Sequence, residues 1–535
     1  PDHTTREATF RERCLAFLPG RWSDLLAIPS AARPLLTTRS VQRLALDVQE
    51  LIRAGEYSRG LARSDAAELA EGSLSTAQAL AALHPPDDHA SPASSVLPPL
   101  STFTSDTSLH PPALSRTTFE EVVSRRLPRH SAADHAGWRY EHLGWVFRYL
   151  SSTVPPSGST FSPPSDPPAP SSTPGRGAEA LWAVVQLLFR GDLPPAVRPW
   201  FLGGRLVALR KDGDLPSSRK IRPIAIGSVL GRVVSMIAAA DHRDAFTDFL
   251  QPPLPVSSDP RPPLQPDGSP WPVQVGLTSS GLSFLTHTVT SLLQTHPSWL
   301  DATLDIRNAF NALHRREFFR VVSDSFPTLL PWVSTMYSDA STLFFRQDGA
   351  APACITSSCG VRQGCPLGAQ LFALGLHPLL CRLQQLVGSS GVVLAYADDI
   401  HILGPPDVVH RALSALIATV PPSSPSPGMP PPPDCRTSPL GLVLAPGKTT
   451  IYGPSLADPL LRPSLLLRFR DITDSLGDPS RPSEERAARM LRGLGCTALA
   501  GHRVLGAPIG QPDFVASFVA DAVQSALRAV PALDQ

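Results

Sequence analysis

Ala395-Tyr396-Ala397-Asp398-Asp399-Ile400-His401-Ile402 sets two adjacent acids between two short apolar runs, Gly391–Tyr396 and Ile400–Leu403. Runs of that length, separated by only three residues, read as the arms of a β-hairpin with the acids at its tip. Strands bury such arms, so the acids are held at the edge of a core and close to one another. Like charges at that range raise each other's pKa, and the arrangement is costly unless cations sit between them. Magnesium is the natural candidate, a hard ion that takes oxygen ligands and keeps phosphates and waters in its shell. A solvated Asp-Asp turn is the other reading of this stretch taken alone.

Upstream, Leu304-Asp305-Ile306-Arg307-Asn308-Ala309-Phe310 follows a strand at Trp299–Leu304 and precedes a helix from about Asn308. Asp305 therefore stands at a strand end, where a carboxylate can point out of a sheet beside a neighbouring hairpin. A helix N-cap is its alternative role. A strand-end Asp followed by a hairpin-tip Asp-Asp is the layout of a site for two ions about 4 Å apart, which stabilise the attacking and leaving oxygens of an in-line displacement.

Between these two stretches lies Gly360-Val361-Arg362-Gln363-Gly364-Cys365-Pro366-Leu367. Pro366 suits the first turn of a helix running to about Leu383. Glycine lets backbone approach a base pair closely, and Gln363 can hydrogen-bond to nucleic acid; a plain loop-to-helix junction is the other reading. Earlier still, the apolar runs Leu206–Leu209 and Ile221–Ile226 flank a charged loop containing Lys211-Asp212-Gly213-Asp214, which reads as a second hairpin. It carries Arg205, Arg210, Lys211, Arg219, Lys220 and Arg222 against only Asp212 and Asp214. Such a face is either solvated or built for phosphates. Gly447-Lys448-Thr449 is not a Walker A loop, because that motif needs a glycine where Leu442 stands.

Val41–Ala54 and Ser75–Leu83 have helical periodicity, and Ala178–Arg190 is an apolar helix that Gly191 ends at C′. Pro/Ser-rich breaks are expected at Pro85–Pro99, Ser151–Gly177, Pro252–Pro272 and Gly404–Pro439. Helices and strands alternate irregularly, which indicates an α+β architecture. The 535 residues suffice for two to four packed units, at about 100–200 residues per domain. A formal charge of +1 lends no global support to a nucleic-acid partner, so local charge has to carry any phosphate binding. The seven cysteines have no paired spacing with histidines that would build a zinc site, and a reduced intracellular setting fits them. No apolar run reaches the roughly 18 residues that a membrane helix requires. The chain begins at Pro1, so its natural N-terminus is expected to lie further upstream.

Taken together, the Tyr396-Ala397-Asp398-Asp399 box, Asp305 with Phe310, and the Gly360–Leu367 loop resemble the reverse transcriptases of eukaryotic non-LTR (LINE-like) retrotransposons. The resemblance runs from about Gly137 to Gly510. It implies a right-handed polymerase: a helical N-terminal region to residue 115, fingers over 116–297, a palm over 298–512, and the start of a thumb over 513–535. It implies that Asp305 and Asp398 bind two Mg2+ ions, with Mn2+ a possible substitute, and that Asp399 supports them. By the same resemblance Arg222 and Lys211 contact the incoming triphosphate, and Phe310 packs under its sugar and selects deoxynucleotides. Gln363 and Gly364 lie along the base pair, Tyr396 belongs to the substrate-binding hairpin, and Lys448 can protonate the pyrophosphate leaving group.

Gly137-Trp138-Arg139-Tyr140-Glu141-His142-Leu143 resembles a template-touching segment before the fingers. Val504-Leu505-Gly506-Ala507-Pro508-Ile509-Gly510 resembles the turn that grips the primer strand. Cys365, Gly368 and Ala369 depart from the family's usual residues, which leaves the template contacts open. The implied activity is RNA-directed DNA synthesis on an RNA template from a DNA or RNA primer and dNTPs, with no membrane partner and a nuclear location. A catalytically decayed, RNA-binding relative is the alternative, and the sequence leaves the oligomeric state open.

Overall fold

The computed structural model describes residues 69–86, 113–128, 131–149, 176–210, 221–250, 273–278, 280–420, 440–445, 447–458, 460–478, 480–492, 501–505 and 507–529. The expected helix Val41–Ala54, the loop bearing Lys211, Arg219 and Lys220, and most of the Pro-rich breaks lie outside these residues.

The strands are β1 Gly204–Arg210, β2 Ile221–Gly227, β3 Val273–Gln274, β4 Leu300–Leu304, β5 Ser341–Phe345, β6 Ala353–Ser357, β7 Val392–Tyr396, β8 Asp399–Gly404, β9 Thr450–Tyr452, β10 Leu491–Arg492, β11 Gly501–Val504 and β12 Ala507–Gly510. Six of them form one sheet in the order β10-β9-β4-β8-β7-β3. Its centre is antiparallel, with β4 beside β8 (Leu304 opposite Ile400) and β8 beside β7 (Asp399 opposite Tyr396). Because successive side chains alternate between faces, Ala302, Leu304, Ile400 and Ile402 enter the main core together with the helices Gly368–Val387 and Pro406–Thr419. The other face presents Asp301 and Thr303 on β4 and His401 and Leu403 on β8. The β11–β12 hairpin and the helix Gly281–Thr295 cover part of that face with Val504, Ile509, Leu285, Val289 and Leu293, which pack on Leu394, Leu403 and Tyr452.

A second sheet has the order β2-β1-β5-β6, and the helix Leu74–Ala82 lays Ala77 and Leu80 upon it. The charged hairpin is therefore present, β1 and β2 pairing antiparallel from Gly204–Gly227 to Arg210–Ile221. Gly191 sits at φ +81°, as expected of a residue that ends the helix Arg176–Phe189.

Three sequence expectations need correction. The stretch expected to be a break from Gly404 begins instead with a helix, Pro406–Thr419, that buries Val408, Val409, Ala412, Leu413 and Leu416. Its proline occupies the first helical position, where a missing N–H costs nothing. The helix after Pro366 begins at Gly368 and continues to Val387, with Pro378 inside it. The turn between β7 and β8 has two residues rather than three, since Asp399 already pairs with Tyr396.

Candidate active site

Asp305 directly follows β4, and a neighbouring strand-like segment holds its backbone. Ala445 donates its N–H to the Asp305 carbonyl at 2.9 Å, and Arg307 donates to the Val443 carbonyl at 2.9 Å. The same segment leads into Lys448, whose Nζ lies 3.1 and 3.2 Å from the two Asp305 carboxylate oxygens. Both side chains remain partly open to solvent, so the pair can exchange partners.

Asp398 lies in the β7–β8 turn and Asp399 opens β8, the strand adjacent to β4. The residue before them, Ala397, has φ +55°, and Asn308, three residues after Asp305, has φ +53°. A left-handed conformation costs an L-residue roughly 1–2 kcal/mol, and such strain persists only where the surroundings fix it. Asn308 is held in place by donating from Nδ2 to the Leu83 carbonyl at 2.7 Å, so the segment after the helix Leu74–Ala82 reaches the site. The Asp399 carboxyl is pushed up to about 6, first by burial and then by the negative charges of Asp398 and Asp305; His401 and Lys448 act against the shift.

The Gly360–Leu367 loop joins these parts to the second sheet. Val361 donates to the Phe310 carbonyl at 2.7 Å, and Ala225 on β2 donates to the Gln363 carbonyl at 2.7 Å. Gly364 adopts φ +110°, and a Cβ there would stand 2.6 Å from the Ala225 carbonyl oxygen, so only glycine lets the loop lie this close to β2. Phe310 stacks on Phe372 with ring centroids 4.4 Å apart. Arg222 is exposed on β2, three residues before the docking point, and Tyr396 is half-buried at the end of β7. Lys211 lies outside the described residues.

Three features of the site had no assigned role in the sequence reading. Arg362 is buried and donates to the carbonyls of Leu202 at 2.7 Å and Met336 at 2.9 Å, which locks the loop to the entrance of β1. Arg315 does the same for the other end of the loop, donating to the carbonyls of Gly360 and Ser357. Its position at the start of an amphipathic helix gave no hint of burial. The third is a buried cluster of Asp301, His401 and His502, on the same face of the sheet as the carboxylates and further from its edge.

Among the described residues, no three acidic, histidine or cysteine side chains converge closely enough to hold a metal ion as they stand. Mg2+ is usually held by one or two carboxylates together with substrate phosphates, so a ready-made protein cage is not required. The donor set fits such an ion in two respects: burial and then repulsion from Asp398 and Asp305 raise Asp399, and an ammonium group already stands against Asp305 where a cation would be attracted.

Residues 209–420 match the family described as Reverse transcriptase (RNA-dependent DNA polymerase). The chain is 29% identical over 248 residues to the Retrovirus-related Pol polyprotein from type-1 retrotransposable element R2 of Popillia japonica, covering 44% of this chain and 31% of that protein. It is 34% identical over 116 residues to the Retrotransposable element SLACS 132 kDa protein of Trypanosoma brucei gambiense, covering 21% of this chain and 10% of that protein. It is 28% identical over 223 residues to the Transposon TX1 uncharacterized 149 kDa protein of Xenopus laevis, covering 39% of this chain and 15% of that protein. The chain thus spans less than a third of the length of each of these relatives. Among solved structures, an apo telomerase from Candida tropicalis truncated from its C-terminal domain aligns with 41% of this chain and 48% of its own, at 12% identity and a TM-score of 0.31.

Proposed function

We propose that this chain, whose residues 209–420 form a reverse transcriptase domain similar to those of non-LTR retrotransposon proteins, is an RNA-directed DNA polymerase that extends a primer 3′-hydroxyl with dNTPs on an RNA template. One observation carries the reading: adjacent antiparallel strands deliver Asp305, Asp398 and Asp399 to one edge of one sheet, close enough for the first two to raise the pKa of the third. A protein that merely bound RNA would gain nothing from acids gathered to face phosphates.

In this reading the six-stranded sheet is the palm, the four-stranded sheet belongs to the fingers, and the helix Pro512–Ala529 opens the thumb. Asp305 and Asp398 would hold two divalent cations, Mg2+ or Mn2+, with Asp399 in support. Bound there, such ions supply charge stabilisation to the attacking and leaving oxygens. Arg222, and by the family resemblance Lys211, steady the triphosphate, neutralising charge as it spreads over the phosphates. The Gln363-Gly364 backbone, fixed to β2 through Ala225, sets the plane against which the templating pair is tested. Phe310 closes the space that a ribose 2′-hydroxyl would need, and Tyr396 lies beside the hairpin acids. Lys448 is placed to exchange Asp305 for the leaving pyrophosphate and to give it a proton.

The test is primer extension on a poly-RNA template with Mg2+ and dNTPs, run beside Asp398→Ala. Extension by the parent chain that disappears in the variant supports the polymerase. RNA binding without extension by either protein would instead identify a decayed, RNA-binding relative.

A further inference from the structure

The reverse transcriptase match begins at residue 209, yet a segment well upstream of it is built into the site. Strand β1 pairs with β5 over Gly204–Leu206 only. Further along, the same edge of β1 is taken by Leu69, bridged to Leu209, and by Ala70, which donates its N–H to the Ala208 carbonyl at 2.9 Å. Asp348, between β5 and β6, donates its N–H to the Gly72 carbonyl at 2.8 Å and accepts from the Gly72 N–H at 3.2 Å. The helix Leu74–Ala82 then buries Ala77 and Leu80 in one cluster with Leu206, Ala225, Leu343 and Ile355 of the four-stranded sheet.

The far end of this segment is attached to the other sheet. The last carbonyls of a helix have no partner within it. That of Leu83, just past Ala82, accepts a hydrogen bond from Asn308 Nδ2 at 2.7 Å. Asn308 stands three residues after Asp305 and two before Phe310. Its Oδ1 accepts from Asn311 Nδ2 at 3.0 Å, so both ends of the amide are engaged. Its backbone is left-handed, at φ +53°, a conformation that asparagine tolerates better than most residues. Neither the metal-binding acids nor the substrate contacts of the polymerase reading account for this amide.

The two sheets also meet at the Gly360–Leu367 loop, where Ala225 bonds to Gln363. One attachment leaves a sheet free to swing about it, and a second attachment on different elements removes that freedom. We propose that Asn308 is a positioning residue. Its bond to Leu83 makes residues 69–83 a brace between the four-stranded sheet, which carries Arg222, and the Asp305 end of the six-stranded one. The brace sets the width of the gap that receives the nucleoside triphosphate. The inference rests on the polymerase reading and adds to it a segment and a side chain that the reading leaves idle. With the brace loose, only a fraction of the molecules hold the gap at its working width, and the apparent affinity for nucleotide falls by that fraction.

The experiment uses the full chain with three variants. Asn308→Gly accepts the left-handed backbone without strain but lacks the donor. Leu80→Ala loosens the helix where it meets the sheet, and the third variant combines the two. Steady-state extension is measured on an RNA template with a DNA primer, per active site titrated by the first-turnover burst. In Asn308→Gly the KM for dNTP is expected to rise about fivefold, the scale of one hydrogen bond. The kcat and the KM for primer–template should stay within about twofold. Leu80→Ala should move the same constant in the same direction, and the double variant should be no worse than the worse single one, because both release one brace. Should Leu80→Ala fail to fold, the constants of Asn308→Gly decide alone. An unchanged KM for dNTP in Asn308→Gly, equal losses in all three constants, or effects that multiply in the double variant would overturn the proposal and leave the polymerase reading intact. A parent chain that binds the hybrid but never extends it would overturn that reading, and this proposal with it.

Discussion

Asp399 and Asp301 lie on adjacent antiparallel strands of one sheet, on the same face, yet their surroundings act on them in opposite directions. Asp399 has acids beside it at the sheet edge, and its carboxyl is pushed up to about 6 by burial together with Asp398 and Asp305. Asp301 has imidazoles beside it; burial pulls its pKa upward, but His401 and His502 outweigh burial and hold the carboxyl well below the usual range. The edge gathers like charges, with Lys448 beside one of them, whereas at the base a single charge is set among imidazoles. Activity should therefore be sensitive at one level of the sheet and stability at the other.

The largest expected effect is on catalysis at the edge. Asp305→Ala or Asp398→Ala should lower single-turnover extension by at least about a hundredfold, while the thermal midpoint stays level or rises because like-charge repulsion is relieved. A variant that lost both activity and stability would erase the distinction between the two levels. Next comes the base: Asp301→Ala leaves two buried imidazoles facing an empty site and should cost about 3–5 kcal/mol in urea unfolding.

A third prediction uses a second buried histidine, His377. His377 packs on Phe249 with centroids 5.2 Å apart, and burial pushes it down to about 4. His401 goes the other way, burial being outweighed by Asp301 and Asp399. Between its ordinary 6.5 and about 4, His377 is protonated in the unfolded chain but not in the native one. The unfolded state then binds more protons at this site, so the histidine's own contribution to stability falls as pH drops through that window, by up to about 3 kcal/mol. Asp301 keeps its contribution throughout, because its loss begins only below the ordinary carboxylate range. Asp399, raised to about 6, takes up its proton in the native state over the same range and acts in the opposite sense. The change in stability from pH 7 to pH 4.5 in urea unfolding should therefore be less favourable in the parent chain than in His377→Phe. The smallest effect is expected for Lys448→Ala, where an ion pair half open to water is broken. Stability should change by less than about 1 kcal/mol, read from the same urea transitions, so a larger loss would make Lys448 part of the base rather than the edge.

The edge could be read in the sequence because its signal is local. Two acids between apolar arms announce a hairpin tip, Asp305 closes an apolar run, and Gly364 precedes Pro366, each within a few neighbouring residues. The β1–β2 hairpin was legible for the same reason. The base could not be read, because Asp301, His401 and His502 come from three distant stretches and each looks like the polar member of an alternating strand. Only pairing of β4 with β8, and packing of β11 upon them, turns them into one group. The helix Pro406–Thr419 was hidden by its own start signal: Gly404-Pro405-Pro406 opens a Pro-rich stretch and a helix alike, and the buried spacing from Val408 to Leu416 distinguishes the two. Arg362 sat in a recognised motif, but its burial depends on carbonyls of Leu202 and Met336 that no local pattern predicts.

The Asp301 cluster also bears on how the protein is made. As the chain leaves the ribosome, β4 emerges long before β8, and His502 only after most of the described residues have followed. Until β8 emerges Asp301 has no donor, and until β11 emerges it has the His401 imidazole alone. Closing β4 into the sheet early would therefore bury a charge that is only partly met. The entropy of the intervening loops must be spent before these contacts repay it. Nascent chains stopped short of His502 should therefore stay open to proteases at the sheet, and the sheet should close late, in one step, rather than by stages as the chain is synthesised.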